Sequence, residues 1–324
     1  MSSIGGDVLK FIELNKHILQ GNLKSAYVVS GDDPYIVRSA LSFFATLAGN
    51  MKELNISKFG SNDLPENILP ALLTPPLMSD YRVVFVESYS KNTDWVVDYL
   101  SLPCPTTILV FHGNLSPTLS KVLSKIEIVD CNRLSQEYLS KWIINKASSK
   151  NTSIDSNAAT LLAEYCNRDM FRISSELIKL SDYAQNEPIT VNTIKSLVVP
   201  DLEYKIYHLS EAITQRKKDR AVALLQNLLA ENNSAVSLLA MLFNHFRKLL
   251  MVAISDDGIS VASDLKVSES SMYFLRKQAK TYSVKTLKTI FDKLCELDAN
   301  IKNGRILEKT ALILFVCEIS SCAQ

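Results

Sequence analysis

Apolar and polar positions alternate in two different ways along this chain. In the first third, short apolar runs punctuate helical patterns: Ala26–Ser30, Ile56–Phe59, Val83-Val84-Phe85-Val86, 107–111 and 126–129. The run Val83–Val86 is β-branched, brief and unbroken, as expected of a strand buried on both faces. Five strands separated by helices predict a layered α/β domain with a parallel sheet and right-handed crossovers, over residues 1–133. Ligands in such folds bind at the carboxyl ends of the strands, so the loop after the first run is a place to look for chemistry.

From about Leu134 the pattern is helical throughout. Ser135 is a candidate N-cap for a helix carrying Leu139, Trp142, Ile143 and Lys146 at three- and four-residue steps. A second helix is expected over 157–166, and a third carries Met170, Ile173, Leu177 and Leu180 on one face with Glu176 and Lys179 on another. A short helix at 191–197 leads to a linker ending in Pro200-Asp201, which sets a boundary near residue 200. The first unit is thus a three-helix module over 134–200, and helices at 204–213, 220–231, 235–254, 268–281, 285–300 and 307–320 make a further all-α domain over 201–324.

The junction before the third run stands out. Pro75 and Pro76 cannot extend the preceding helix, Leu77 and Met78 follow, and the strand pattern starts at once. An apolar pair in a turn either tucks under the sheet, which residue type alone favours, or forms a docking surface. Leu72 and Leu73 are expected to pack the preceding helix inward.

Composition narrows the picture. The 324 residues are 47% hydrophobic and 21% charged, an ordinary globular balance, and 35 Lys and Arg against 34 Asp and Glu leave a net charge of +1. No overall field steers the chain to nucleic acid or an anionic membrane. The first ten residues lack the basic start and apolar core of a secretory leader, and the apolar run at 311–317 is too short to span a bilayer, so a cytoplasmic location without membrane attachment is expected. Six scattered cysteines without a CxxC pair read as reduced, mostly buried thiols, and Asn55-Ile56-Ser57 matches the glycosylation pattern by chance. The four histidines (17, 112, 208, 245) form no metal-ligand or triad pattern and read as structural.

The loop after the first run is where a nucleotide-binding domain carries GxxxxGK[ST], whose amides and lysine hold the phosphates. Here Ser30-Gly31-Asp32-Asp33 leads into Val37-Arg38 without Gly-Lys, and two carboxylates stand where phosphate would sit. Glu87 after the third run lacks a paired carboxylate for magnesium and water. No cofactor is expected, and no catalytic constellation is present in the pattern. Two groups of basic residues are candidate phosphate contacts: Arg216, Lys217, Lys218 and Arg220, and then Lys277, Lys280, Lys285 and Lys288. A solvated helix surface is the commoner meaning of such clusters.

The layout and four phrases, YVVSGDDPY (27–35), SELIKLSDY (175–183), FNHFRKLL (243–250) and LDANIKNG (297–304), resemble the delta subunits of bacterial DNA polymerase III, the clamp-loader subunits that open the sliding clamp. The resemblance spans nearly the whole chain. It implies an AAA+-like α/β domain with a parallel sheet and no working nucleotide site, then a three-helix lid and an all-α collar that assembles a five-subunit ring. It implies as partners the sliding clamp (beta subunit), the gamma/tau and delta-prime subunits through the collar, and primed DNA in the complex. The family's clamp-binding apolar pair, just before the third strand, lands on Leu77-Met78; relatives often carry an aromatic there, and Met78 is a departure. An aromatic that stacks on a template base in some relatives has no counterpart near Asn303-Gly304. The chain contains no Ser-Arg-Cys triplet, the element that supplies an arginine finger in other loader subunits. By this resemblance the chain is no enzyme by itself, and the DNA-directed DNA polymerase activity is that of the holoenzyme. The alternatives are a non-catalytic AAA+-related scaffold and a nucleotide-dependent helicase-loading factor, which a phosphate loop would have favoured.

Overall fold

The computed structural model describes residues 8–21, 23–89, 93–113, 126–185, 187–231, 233–255, 265 and 269–321. Residues 1–7, which include most of the segment considered as a leader, residue 268 and Cys322 lie outside the described residues. The chain divides into two compact units, Met1–Leu134 and Ser135–Gln324.

The first unit is an α/β domain. Its elements are β1 (Val8–Lys10), α1 (Phe11–Leu19), β2 (Ala26–Ser30), α2 (Pro34–Thr46), α3 (Lys52–Asn55), β3 (Ile56–Phe59), α4 (Pro65–Leu73), β4 (Arg82–Glu87), α5 (Asp94–Ser101), β5 (Thr107–His112) and β6 (Glu127–Asp130). The strands form one parallel sheet in the order β1-β6-β2-β5-β4-β3. All five expected strands are present, and β1 is an additional edge strand too short to produce a run. Successive strand residues face opposite sides of a sheet. Val28, Val84, Val86, Leu109 and Phe111 therefore share one face, packed with Ile68 and Leu72 of α4 and Trp95, Val96 and Tyr99 of α5. Tyr27 turns to the other face, where its ring meets Phe44 of α2 at 4.7 Å, beside the stacked pair Phe11 and Phe43.

The second unit is helical: α6 (Gln136–Ser148), α7 (Ser156–Tyr165), α8 (Met170–Ala184), α9 (Val191–Leu197), α10 (Leu202–Thr214), α11 (Lys218–Ala230), α12 (Ala235–Ile254), α13 (Glu269–Ala279), α14 (Val284–Lys302) and α15 (Glu308–Ser321). Ser135 caps α6, accepting from the Tyr138 amide. The sequence boundary near residue 200 is bridged inside this unit. Arg172 of α8 pairs with Asp201 at 2.9 Å and donates to the Val199 carbonyl at 2.6 Å, the Asp201 amide donates to the Tyr165 carbonyl at 2.7 Å, and Tyr165 packs edge-on against Tyr204. Leu209, Leu225, Leu242, Phe246, Leu287, Leu294 and Val316 form the centre of the larger core. By length and composition α12 is apolar enough to cross a membrane. Its Leu238, Leu242, Phe246 and Leu249 are instead spent on this core, at the spacing of one helix face.

Candidate functional site

Helix α4 starts with Pro65 at its first position and ends where Thr74 takes an extended conformation, its amide and hydroxyl both bonded to the Pro70 carbonyl. Pro75 and Pro76 contribute no amide donors, so Leu77 has the next free N–H along the chain. That N–H donates to Oδ1 of Asn55 at 2.7 Å, and Nδ2 of Asn55 donates back to the Leu77 carbonyl at 2.9 Å. Asn55, the last residue of α3, is fully buried. Met78 follows with φ at 53°, in the left-handed region, which is costly for a residue with a full side chain. Ser79 then reaches back through Oγ to the carbonyls of Leu47 and Tyr81, each at 3.3 Å. Arg82 donates to the Leu54 carbonyl and to Ser57 Oγ. The turn is thus tied to α3 and to the end of α2 by side chains from three positions.

This backbone displays its side chains outward. Leu77 is 54% exposed and Met78 82% exposed, so neither tucks under the sheet. Leu72 is wholly buried, as expected, but Leu73 is 62% exposed, contrary to the expectation that both pack inward. Adjacent helical residues point about 100° apart, and α4 covers the sheet with a single face. Sequence reasoning missed Asn55. Its partner is 22 residues away, and the only signal it carried was the glycosylation pattern, whose acceptor the burial removes.

The loop after β2 is closed against the segment after β6. A Cβ on Gly31 would lie 2.0 Å from the Cys131 carbonyl carbon, so only glycine permits the approach. The Cys131 amide donates to the Ser30 carbonyl, the Asp32 amide to Asn132 Oδ1, and the Arg133 amide to Asp32 Oδ1. Asp33 caps α2: its Oδ1 accepts from the Tyr35 amide at 3.0 Å and the Ile36 amide at 3.1 Å. Those are the helix-terminal donors that a phosphate takes in a nucleotide site. Burial pushes the Asp33 carboxyl above the usual range, partly offset by those two hydrogen bonds and by Arg133. Burial also pushes the Cys131 and Cys166 thiols up to about 12, so they are unreactive at neutral pH. Glu87, at the end of β4, is exposed and lies in register with His112.

In the helical unit the two basic groups lie beside the ends of a hydrogen bond between Thr214, the last residue of α10, and Tyr282, after α13. Arg216, Lys217, Lys218 and Arg220 are exposed at the α10–α11 connection, Lys277 and Lys280 at the end of α13, and Lys285 and Lys288 at the start of α14. The Thr214 hydroxyl bonds to the Tyr282 hydroxyl, which also donates to the Ser210 carbonyl, and Gln278 Nε2 donates to Ser210 Oγ at 2.6 Å. His245 on α12 completes this buried network, its Nε2 lying 2.8 Å from Ser210 Oγ and 3.1 Å from Gln278 Oε1. Burial holds its imidazole down at about 4, with Gln278 opposing and Lys248 adding to the shift. His17 contacts the Tyr27 hydroxyl and buried Glu127, and His208 pairs with Glu211. His112 meets the ring of Phe85 edge-on. All four histidines have packing or hydrogen-bonding environments of their own.

Two family models match the chain: "DNA polymerase III, delta subunit" over residues 27–132, and "DNA polymerase III delta subunit, C-terminal domain" over residues 203–319. DNA polymerase III subunit delta of Bacillus subtilis (strain 168) is 25% identical over 333 aligned residues, which cover 94% of this chain and 95% of that protein. The probable DNA polymerase III subunit delta of Aquifex aeolicus (strain VF5) is 22% identical over 191 residues, 57% of this chain and 55% of that protein. The solved Bacillus subtilis DNA clamp loader delta protein (YqeN) superposes with a TM-score of 0.76 at 22% identity, covering 96% of this chain and all of that one.

Proposed function

The chain belongs to the DNA polymerase III delta-subunit family, a clamp-loader component, and on that premise we propose that it binds and opens the sliding clamp through Leu77 and Met78. The observation that carries this reading is an apolar pair left exposed on a turn whose backbone is held from both sides. Exposed apolar residues occur elsewhere on the chain, but among the described residues Met78 is the exposed large apolar side chain held at positive φ, a conformation retained where the surroundings demand it. Inserted into an apolar pocket of the clamp, each side chain contributes at most about 1.5 to 3 kcal/mol. The thioether of Met78 adapts to a pocket shaped for bulkier groups.

Opening a ring requires tighter binding to the open or strained clamp than to the closed one, since only differential affinity shifts an equilibrium. This chain supplies that difference, and the ATP energy comes from neighbouring subunits. Asp33 already occupies the amides that would hold phosphate, and Gly31 seals the loop onto the end of β6, which supports a chain with no nucleotide site and no catalysis of its own. In this reading residues 1–133 are the AAA+-like clamp-contacting domain, 134–200 the lid and 201–324 the collar that joins the gamma/tau and delta-prime subunits. The basic surface stitched together by Thr214 and Tyr282 meets the phosphates of primed DNA in the assembled loader, in the bacterial cytoplasm.

The test is clamp affinity of the purified chain with and without Mg-ATP, alongside direct ATP binding. Equal affinity in both conditions, with no ATP bound, is expected. Mg-dependent ATP binding by the isolated chain would favour a nucleotide-dependent loading factor, and a folded chain without clamp affinity would leave a scaffold.

A further inference from the structure

We infer that Asn55 is the positioning residue of the docking turn, setting the presentation of Leu77 and Met78 and through it the affinity for an apolar pocket on the clamp; this rests on the docking reading above. Asn55 is fully buried, so it cannot itself touch a partner. Its amide matches the Leu77 peptide group atom for atom, accepting from the N–H at 2.7 Å and donating to the C=O at 2.9 Å. Asparagine is suited to this because it offers one acceptor and one donor on a short, planar side chain, whereas aspartate lacks the donor and alanine lacks both.

The neighbouring backbone explains why a pin is needed. Pro75 and Pro76 give the segment no amide donors, and Met78 sits at φ 53° against its own steric preference. Ser79, the second tie, has a single hydroxyl proton to share between two carbonyls, each 3.3 Å away. Without Asn55 the turn relaxes, Met78 returns to an ordinary conformation, and its side chain leaves the direction it now holds. The bound geometry must then be recovered at the moment of docking, which weakens binding while every atom that meets the clamp is still present. Because Asn55 ends α3 and precedes β3, the pin also fixes the turn against the sheet edge instead of against the neighbouring residues of its own loop.

The experiment uses the full chain with Asn55→Ala, Met78→Ala and the double variant, reading clamp affinity, unfolding midpoint and hydrogen exchange at the Leu77 amide. Asn55→Ala is expected to weaken clamp binding at least about tenfold and to speed exchange at Leu77 while the β4 amides stay protected. Adding Met78→Ala should then cost far less than it does alone, because the two act through one interaction. Wild-type affinity in folded Asn55→Ala, or strictly additive losses, overturns the inference while leaving the docking reading standing. A wild-type chain that binds no clamp overturns both. Should Asn55→Ala fail to fold, Asn55→Asp keeps the acceptor for the Leu77 N–H and loses the donor; unchanged affinity in that variant would equally overturn the inference.

Discussion

Replacing Leu77 and Met78 together by alanine separates docking from folding. With about 2 kcal/mol for complete burial of such a side chain, the exposed fractions of 54% and 82% leave about 1.1 and about 1.6 kcal/mol still to be gained on docking. Their loss weakens clamp binding by about 2.7 kcal/mol, roughly a hundredfold in Kd. By the same accounting the fractions already buried contribute about 0.9 and about 0.4 kcal/mol to the free fold, so the unfolding free energy should fall by about 1.3 kcal/mol. Leu72→Ala supplies the opposite case: wholly buried between α4 and the sheet, it should cost about 2 to 5 kcal/mol of stability, with the affinity of the folded molecules unchanged. Urea denaturation and calorimetric titration with the clamp read the two quantities separately. A folded double variant with undiminished affinity refutes the reasoning, and so does a double variant destabilised as much as Leu72→Ala, which would make the pair part of the core.

Other expectations concern stability and DNA. The His245 imidazole titrates near 4 when folded against 6.5 ordinarily; the unfolded chain therefore binds more protons in that window, and stability is full above the upper value and lost as pH falls through the lower. At 1.36 kcal/mol per pH unit the loss approaches about 3 kcal/mol, and denaturation at pH 7 and 4.5 should show His245→Gln to be less acid-sensitive than wild type. For Asp33, whose burial raises its pKa, the ionised form is disfavoured in the fold, so this contribution is present below the unfolded value and lost as pH rises through the folded one. Asp33→Asn, which keeps an acceptor for the Tyr35 and Ile36 amides, should hold or gain stability at pH 7, whereas Asp33→Ala should lose about 1 kcal/mol. Replacing Lys217, Lys218, Lys277 and Lys280 by alanine in the assembled loader should flatten the salt dependence of primed-DNA binding by about 0.9 in slope for each duplex phosphate no longer neutralised; an unchanged slope would return these residues to the role of a solvated surface.

The parallel sheet was legible because its central strands β4 and β5, buried on both faces, read as apolar runs, and the helices of the second unit because a 3.6-residue stripe survives in sequence over several turns. The three residues of β1 are too few to carry either signal. Leu72 and Leu73 look identical as letters, and the geometry of a helix on a sheet sends one inward and the other out. Residue type alone pointed Leu77 and Met78 toward burial; their exposure is decided by a backbone that proline, Asn55 and Ser79 hold in place. Asn55 was invisible because its partner is distant in the chain, and Asp33 was read as a charge that repels phosphate when it is also the cap of α2. The two basic groups are separate in sequence, and the segments that carry them are joined by Tyr282, whose bonds to Thr214 and Ser210 depend on helix packing.

The most direct measurement is release of the sliding clamp from closed circular DNA by this chain alone, without nucleotide, followed in time against the Leu77→Ala/Met78→Ala variant. The wild-type chain is expected to free the clamp in the absence of ATP, and the double variant, equally folded, is not. Release that requires ATP, or that the double variant performs as fast as wild type, would contradict this expectation.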